Sequence, residues 1–486
     1  TRPPPVNPGW PVGLLGVPFD HVHHPEAVAR IGRMIATRRP HYVVTANVDF
    51  LVQAQRDVEL QRILLEADLV LCDGTPLLWA SRWLGNPLPE RVAGSDVVPL
   101  LIRAAARNGH RIFLLGAGPG VAAEAAARLQ QQHPDLVIAG FYSPPFRDLL
   151  AMDFAEIARH VRAAKPDLLL VSFGCPKQEK WIAMHRHLLD VPVLIGVGAT
   201  LDFIAGRMKR APVLMQRTGT ECLYRLAQEP RRLAHRYLGD FVRFVPLITR
   251  QCWHLRGLRR PAAREESMTL QRSPDGRRIR IEGDFSAAAL NAERHFHETT
   301  RPVHGDCELD LSRVRSLDST GVAVLVQWRR ALLGEGRRLT LLNPSVAVRR
   351  GLQLMRLTGH FRIVDPAGGV RSPADAGPAA GQPVVPPYPG GHTLAWQGEV
   401  TAANAESVWG VTLQHFASAG PPPHRTFIID LSQLRFIDSA GANLMGRLAA
   451  WGREQDRHLW FPGSQPDVRN VLRLAKLGLL LGSPHQ

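Results

Sequence analysis

The sequence predicts an α/β chain in several parts: a doubly wound parallel-sheet unit with a basic helical appendage, then two small α/β domains. Three observations carry this. Residues 10 to about 205 alternate short apolar strands with helical patterns, the signature of a βαβ series. Residues 207–260 turn Arg-rich with apolar residues at helical spacing. Beyond residue 267 the chain repeats itself at an offset of 120 residues with no gap. The length of 486 residues fits about three domains at roughly 150 each. A composition 45% hydrophobic and 21% charged is that of a folded chain and excludes disorder or a collagen-like fibre.

Taken in order, the predicted strands of the first unit (residues 1–206) are His41–Thr45, Asp68–Cys72, Arg111–Leu115, Leu136–Ala139, Asp167–Ser172 and Val191–Gly196. Each runs into a loop holding Gly, Pro, Asn or Asp, where open α/β sheets place their ligands. The appendage, 207–260, sets Leu223, Leu226, Leu233, Leu238, Phe241, Val242, Val245 and Ile248 at helical spacings, predicting one or two basic amphipathic helices. It holds 13 Lys/Arg against Glu221, Glu229 and Asp240, and so supplies ten of the net +16 charges. The PAAREES connector ends this part near Ser267.

The repeat is legible residue by residue. Asp310-Leu311-Ser312 matches Asp430-Leu431-Ser432, Arg315 matches Arg435, and Asp318-Ser319-x-Gly321 matches Asp438-Ser439-x-Gly441. Arg349 and Leu354 match Arg469 and Leu474. Two copies of one small domain follow, at 268–365 and 392–486, each with a strand, an Asp-Ser-x-Gly turn, a helix (Val322–Leu333; Ala442–Arg453), a strand and a final amphipathic helix. Residues 366–391 hold seven Pro and six Gly and read as a linker.

Composition also narrows location. The five cysteines are scattered, odd in number and without a CxxC pair, which argues against a disulfide framework or zinc ribbon and fits a reducing cytoplasm. No run of about 18 apolar residues exists to span a bilayer, and TRPPPVNPGW lacks the apolar core of a signal peptide. The positive charge alone suggests nucleic acid, an anionic membrane or phosphorylated substrates. The basic segment lacks the interleaved aromatics that stack on bases, so no nucleic-acid partner is expected.

Asp73 ends the strand DLVLCD, and Gly74-Thr75-Pro76 opens a helix with Thr75 expected as N-cap. A carboxylate at a strand's carboxyl end is placed for general-base work; capping the helix is the alternative. Thr45 and Asn47 end the first strand and face the same cleft, although turn formation alone also accounts for them. Gly116-Ala-Gly118-Pro-Gly120 joins a strand to an alanine-rich helix and can seat a diphosphate on free amides. A dinucleotide enzyme would carry an acidic residue at the end of the next strand; Leu136-Val-Ile-Ala-Gly140-Phe has none, which counts against NAD. Lys177, Gln178 and Asp202, after two further strands, offer a cation, an amide and an acceptor. No Asp-x-Asp occurs in residues 1–260, so no metal is expected and a leaving diphosphate must rely on amides and cations.

Seven ordered blocks, TANVDF, CDGTPLLW, ERVAGSD, LLGAGPG, SFGCPKQEKW, GVGATLDFIAGRMKRAP and ECLYRLAQEPRRLAHRY, resemble the bacterial WecG/TagA/CpsF glycosyltransferases (family 26) over about residues 10–250. The resemblance implies a Rossmann-like core that moves a sugar, typically N-acetylmannosamine or its uronic acid, from a UDP donor to a polyprenyl-diphosphate-linked saccharide. Transfer proceeds with inversion, on the inner face of the cytoplasmic membrane, without a cofactor. It implies Asp73 as base, Thr45 and Asn47 beside it, Arg91 near donor or acceptor phosphates, and Gln178 and Asp202 at the nucleotide end. Arg225 and Arg232 belong to an appendage that closes over the site and meets an anionic membrane surface. Where the family commonly has Glu-Trp, this chain has Glu221-Cys222.

The paired Asp-Ser-[Ser/Thr/Ala]-Gly turns resemble STAS domains of anti-sigma-factor antagonists and sulfate transporters, which bind protein partners or are phosphorylated. The hydroxyl modified in the antagonists precedes the Gly, which is Thr320 in the first copy and Ala440 in the second. The resemblance thus implies phosphorylation at Thr320, with Ser319 adjacent, and a second copy acting as a constitutive docking surface. Helix capping by Ser319 and Ser439, without regulation, is the alternative. A rival for the whole chain is a non-catalytic scaffold that senses a nucleotide-sugar; the joint presence of Asp73, Thr45, Arg91 and Gln178 argues for turnover.

Overall fold

The structure is a computed structural model that describes residues 9–212, 215, 221–228, 230–258, 267–293, 296, 300, 305–365, 392–418 and 426–482. The first unit opens with a hairpin, β1 (Val12–Leu14) and β2 (Val17–Phe19), every residue of both strands buried. Its strands are three residues each, too short to show an alternating pattern in the sequence. Six further strands form the parallel sheet: β3 (His41–Ala46), β4 (Leu69–Cys72), β5 (Arg111–Gly116), β6 (Val137–Tyr142), β7 (Leu168–Ser172) and β8 (Val193–Gly196). Their order is β4-β3-β8-β7-β5-β6.

Helices cover both faces, as a parallel sheet requires. On one side lie α1 (His24–Thr37), α5 (Gly94–Asn108), α6 (Val121–Gln132) and α9 (Thr200–Ile204), which bury Ile31, Val98, Ala122 and Leu201. On the other lie α2 (Val48–Ala54), α3 (Val58–Glu66), α4 (Thr75–Trp83), α7 (Phe154–Ala164) and α8 (Lys177–His185), which bury Leu51, Leu60, Leu77, Ile157 and Trp181. Caps follow local chemistry. The side chains of Asn47, Asp57 and Asp153 accept from the amides of Phe50, Leu60 and Glu156 at the starts of α2, α3 and α7. Thr75 is not a cap: Gly74 holds the N-cap position of α4, no side chain caps it, and Thr75 is its first helical residue.

The appendage forms α10 (Glu221–Gln228) and a long α11 (Pro230–Leu258). Gln251 of α11 grips the hairpin, its Nε2 donating to the Gly13 carbonyl at 2.7 Å and its Oε1 accepting from the Leu15 amide at 2.8 Å.

The first repeat domain is a five-stranded sheet in the order β13-β12-β11-β10-β9, made of β9 (Met268–Arg272), β10 (Arg278–Phe285), β11 (Cys307–Leu317), β12 (Leu339–Leu342) and β13 (Arg362–Val364). Only β9 pairs antiparallel. Helices α12 (Ala287–Ala292), α13 (Ser319–Gly334) and α14 (Val346–Leu354) complete it. The second repeat has β14 (Thr393–Ala395), β15 (Gly398–Val400), β16 (Thr426–Asp430), β17 (Leu434–Ile437) and β18 (His458–Trp460), paired in parallel as β14-β16-β18 and β15-β17. Its helices are α15 (Ala405–Ser418), α16 (Ser439–Glu454) and α17 (Pro466–Leu474). Helices α13 and α16 begin three residues before the sequence predicts. They are capped by Asp318 and Asp438 and not by the adjacent serines: the Asp318 carboxylate accepts from the Thr320 and Gly321 amides, and Asp438 from that of Gly441.

Both repeats dock on the first unit. The first shares its apolar core, with Phe285, Leu325 and Met355 continuous with Phe19 and Leu60. Gly13 is required there, because a Cβ on it would lie 2.7 Å from the Ser319 carbonyl oxygen. The second keeps its own core around Trp396, Phe427 and Phe461, against which Val58 of α3 packs, and meets α3 through polar contacts as well. Arg62 pairs with Glu399 at 2.8 Å and stacks on the Phe436 ring at 4.4 Å.

Candidate active site

The carboxyl ends of β3, β4, β5, β7 and β8 converge on one edge of the sheet. Thr45, near the end of β3, is buried, and its hydroxyl donates to the Gly196 carbonyl at 3.3 Å. Gly94 lets α5 approach: a Cβ there would lie 3.4 Å from Thr45 Oγ1 and 3.5 Å from Thr200 Oγ1. The next two residues lead to Asn47, half-buried, whose side chain is engaged in capping α2. Asp73 leaves β4 alongside, its amide donating to the Ala46 carbonyl at 2.9 Å, and is half-buried. Thr45, Asn47 and Asp73 therefore share one corner of the edge.

Arg91 closes that corner as part of a charged knot. It pairs with Glu221 of α10 and with Asp96 of α5, both at 2.8 Å, and Arg210 also grips Asp96. Burial alone would lower its pKa, but Glu221, Asp96 and Asp73 outweigh that and hold the guanidinium more firmly charged than usual. The expectation placed Arg91 at substrate phosphates. In this structure it ties the appendage to the core, with the Asp73 charge within its field. From the sequence neither Asp96 nor Glu221 has a predicted role at the site, although both sit inside blocks that carry the resemblance.

The glycine-rich turn follows β5. Gly116 has φ +99°, and a Cβ on it would meet the Ser172 carbonyl at 2.6 Å, so only glycine fits. Gly118 is more open, with Val121 Cγ2 at 3.5 Å from such a Cβ. Arg207 overhangs this turn, its Nη2 at 3.4 Å from where a Cβ of Gly120 would be, and is paired with Glu124 at 2.7 Å. Asp202 on α9 is half-buried, and that burial raises its pKa. The glycine turn at the start of α6, the Arg207–Glu124 pair and the Asp202 carboxyl thus gather on the α6–α9 side of the edge.

Gln178 is not at the ligand-facing surface as expected. It is 2% exposed, its Oε1 accepts from the amides of Gly174 and Gly198, both at 3.2 Å, and its Nε2 donates to Glu179 Oε1 at 2.7 Å. It splints the loops after β7 and β8, a task set by the two glycine amides that would otherwise be left unpaired. Burial pushes the Glu179 carboxyl up to about 8. Lys177 faces the opposite side from the glycine turn, beside Phe146 and with its ammonium donating to the Arg147 carbonyl; burial lowers its pKa. The Arg225 and Arg232 side chains lie outside the described residues, although their backbones belong to α10 and α11.

The Asp-Ser-x-Gly turns are not open switches. Thr320 is wholly buried, and its hydroxyl accepts from Asn86 Nδ2 at 2.8 Å; Ser319 is buried beside it. In the second repeat Ser439 is buried against Glu59 of α3, and Glu59 in turn pairs with Lys180 at 2.8 Å. Both helix starts are occupied by the first unit, because their small residues allow close packing while Asp318 and Asp438 cap the amides.

An open parallel α/β sheet with a carboxylate, polar side chains and a glycine-rich turn at the carboxyl ends of its strands is the arrangement of α/β enzymes, which place their ligands at that edge. The chain belongs to the WecG/TagA/CpsF glycosyltransferase family, whose model matches residues 12–257, and residues 268–365 and 389–482 each match the STAS domain family described as Mlab, STAS domain. Among similar proteins, the N-acetylglucosaminyldiphosphoundecaprenol N-acetyl-beta-D-mannosaminyltransferase of Bacillus spizizenii is 34% identical over 191 residues, which is 39% of this chain and 72% of that protein. The protein of the same name from Staphylococcus aureus strain MW2 is 30% identical over 224 residues, 46% of this chain and 86% of its own length.

Proposed function

We propose that the protein is an inverting, metal-independent glycosyltransferase that moves an N-acetylmannosamine-type sugar from a UDP donor to a polyprenyl-diphosphate-linked saccharide. The observation that carries the reading is the grouping of Asp73, Thr45 and Asn47 at one corner of the sheet edge, with the glycine-rich turn and Arg207 on the other side of it. The diphosphate of the donor sits on the amides after β5 and the start of α6, where the helix dipole and Arg207 offset its charge as UDP leaves. Asp73 takes the proton of the acceptor hydroxyl as that oxygen attacks the anomeric carbon from the face opposite UDP. Inversion follows from that single displacement.

The names of the relatives, which specify a diphosphoundecaprenol-linked acceptor, support the acceptor class. Among the described residues no helix is long and apolar enough to cross a membrane. Helix α11 instead exposes Leu238, Phe241, Val242 and Trp253 amid arginines, and at 3.6 residues per turn these four fall within about a third of its circumference. That face supports a peripheral placement on an anionic inner leaflet, where a lipid-linked acceptor resides. Trp253 supplies the interfacial aromatic that Cys222 does not.

The test is direct. The purified protein is incubated with UDP-N-acetylmannosamine, other UDP-sugars and a short-chain N-acetylglucosaminyl-diphosphate lipid, and the products are read by mass spectrometry and by NMR of the anomeric centre. Addition of one sugar with inverted configuration is expected. UDP-sugar binding without transfer to any such lipid would instead support a nucleotide-sugar-sensing scaffold.

A further inference from the structure

A cleft of about 930 Å³ lies on the α2–α8 side of the sheet edge, away from the glycine turn, and the second STAS domain builds one of its walls. It begins at Asp49, two residues beyond Asn47, and takes in Lys177 at the start of α8. Helix α11 closes it with Arg236 and Arg243, and the STAS domain contributes Leu474, Lys476 and Leu477.

We propose that this cleft is an acceptor subsite completed by the second STAS domain, binding the diphosphate and first isoprene units of a lipid-linked acceptor. The proposal deepens the acceptor reading above and rests on it for the identity of the ligand. The lining is mixed in the way an anionic amphiphile requires. Cations outnumber carboxylates and come from all three parts, with Lys177 from the core, Arg236 and Arg243 from the appendage and Lys476 from the STAS domain, joined by Arg56, Arg147 and Lys180, against Asp49, Asp57, Asp148 and Asp240. Between them lie the apolar side chains of Val52, Leu149, Leu150, Leu474 and Leu477. A nucleotide-sugar has no use for such surface, whereas a diphosphate with a hydrocarbon tail matches both parts. Phe146, 96% exposed, stands at the rim. The exposed Leu238, Phe241 and Val242 lie on the same helix, about a third of its circumference round from the cleft residues Arg236, Gly239 and Arg243, so the face assigned to the membrane adjoins the one that lines the cleft.

Lys476 is placed to respond to a ligand. It pairs with Asp148 across the mouth at 2.7 Å, with both side chains largely in solvent, where such a pair is weak and its ammonium is readily recruited by a phosphate. The domain that carries it is held in register by the Glu59–Ser439 contact.

The experiment uses the full chain saturated with UDP, so that the donor diphosphate site is filled, and titrates it calorimetrically with farnesyl diphosphate and separately with inorganic diphosphate. Lys476→Asn removes the cation and suits the left-handed backbone there, φ +61°. It should weaken farnesyl diphosphate about tenfold, the loss expected for one charged hydrogen bond, and leave UDP affinity unchanged. The Leu474→Ser, Leu477→Ser pair should weaken farnesyl diphosphate but not inorganic diphosphate, with melting temperature as the check on folding. Absence of farnesyl diphosphate binding to the wild type, or affinities within about twofold of wild type in both variants, overturns the proposal. Transfer assays separate the two readings. If the wild type glycosylates no lipid diphosphate while Lys476→Asn still loses farnesyl diphosphate, the function fails and the cleft stands. If the wild type transfers sugar and neither variant changes farnesyl diphosphate binding or acceptor KM, the cleft is wrong and the function stands.

Discussion

The carboxylate of Glu59 accepts two hydrogen bonds from Ser439, one from its amide at 2.6 Å and one from its hydroxyl at 2.8 Å. Glu59 belongs to the glycosyltransferase unit and Ser439 opens the main helix of the second STAS domain, so this carboxylate helps to seat one domain on the other, alongside the Arg62–Glu399 pair. Lys180 completes the arrangement by pairing with Glu59 and with Asp57 at 2.8 and 2.7 Å.

Removing either side of that contact should loosen the second STAS domain. Ser439→Ala deletes one hydrogen bond to a charged acceptor, worth about 1.5–3 kcal/mol. Glu59→Ala deletes both and should cost more. Hydrogen exchange of α16 amides reports the result: faster exchange there with unchanged exchange in β3 and β8 is expected.

Asp73→Asn should lower turnover by about 10²–10⁴-fold, the usual worth of general-base assistance, and leave UDP affinity nearly intact. Steady-state rates and UDP titration of the purified variant check it. Full activity in the asparagine variant removes Asp73 from the base role.

Turnover should not depend on a divalent metal, because amides of the turn after β5 and Arg207 supply the positive field that an ion would otherwise provide. Excess EDTA should change the rate by no more than about twofold. Loss of activity restored by Mn²⁺ or Mg²⁺ rejects this.

Anionic liposomes should bind the protein through α11. Phe241→Ser with Trp253→Ser removes two large apolar groups, each worth roughly 1.5–3 kcal/mol when buried, so partitioning should fall by more than about tenfold. Raising salt should weaken the wild type as well, by screening its arginines. Sedimentation with liposomes measures both.

Glu179 sets a pH dependence of stability. Its folded pKa, pushed up to about 8 by burial, exceeds the unfolded value, so the stability carried by the neutral carboxyl is fully present below about 4.5 and is lost as pH rises through about 8. Gln178, Cys175, Tyr42 and Asp49 are the groups that surround it or act on it. Glu179→Gln keeps an acceptor for Gln178 Nε2 and should flatten the fall in melting temperature between pH 5 and 9. An unchanged slope tells against a protonated Glu179.

Much of this molecule is legible in its sequence because strands buried on both faces leave continuous apolar runs, as in Leu69–Cys72 and Leu168–Ser172. The repeat gave itself away by identical turn residues. The hairpin of β1 and β2 left no such trace, since its burial comes from Gln251 and α13, both distant in the chain. At the site, residue types were readable but directions were not. Gln178 turned inward because two glycine amides needed an acceptor, and Arg91 turned to Glu221, a partner 130 positions away. The sequence offers Thr320 and Ser319 for phosphorylation and Ser319 and Ser439 as caps, yet tertiary docking buries all three and Asp318 and Asp438 hold the caps.

The second STAS domain is joined to the first by the 26 residues 366–391. A tether of that order holds a module near its seat at an effective concentration on the order of millimolar. A separate protein offering a carboxylate to Ser439 must therefore outcompete a neighbour that never diffuses away, and a weak binder present at micromolar levels will find the seat taken. Whatever displaces Glu59 has to act on the bond itself, by tight binding or covalent change, since concentration alone will not suffice.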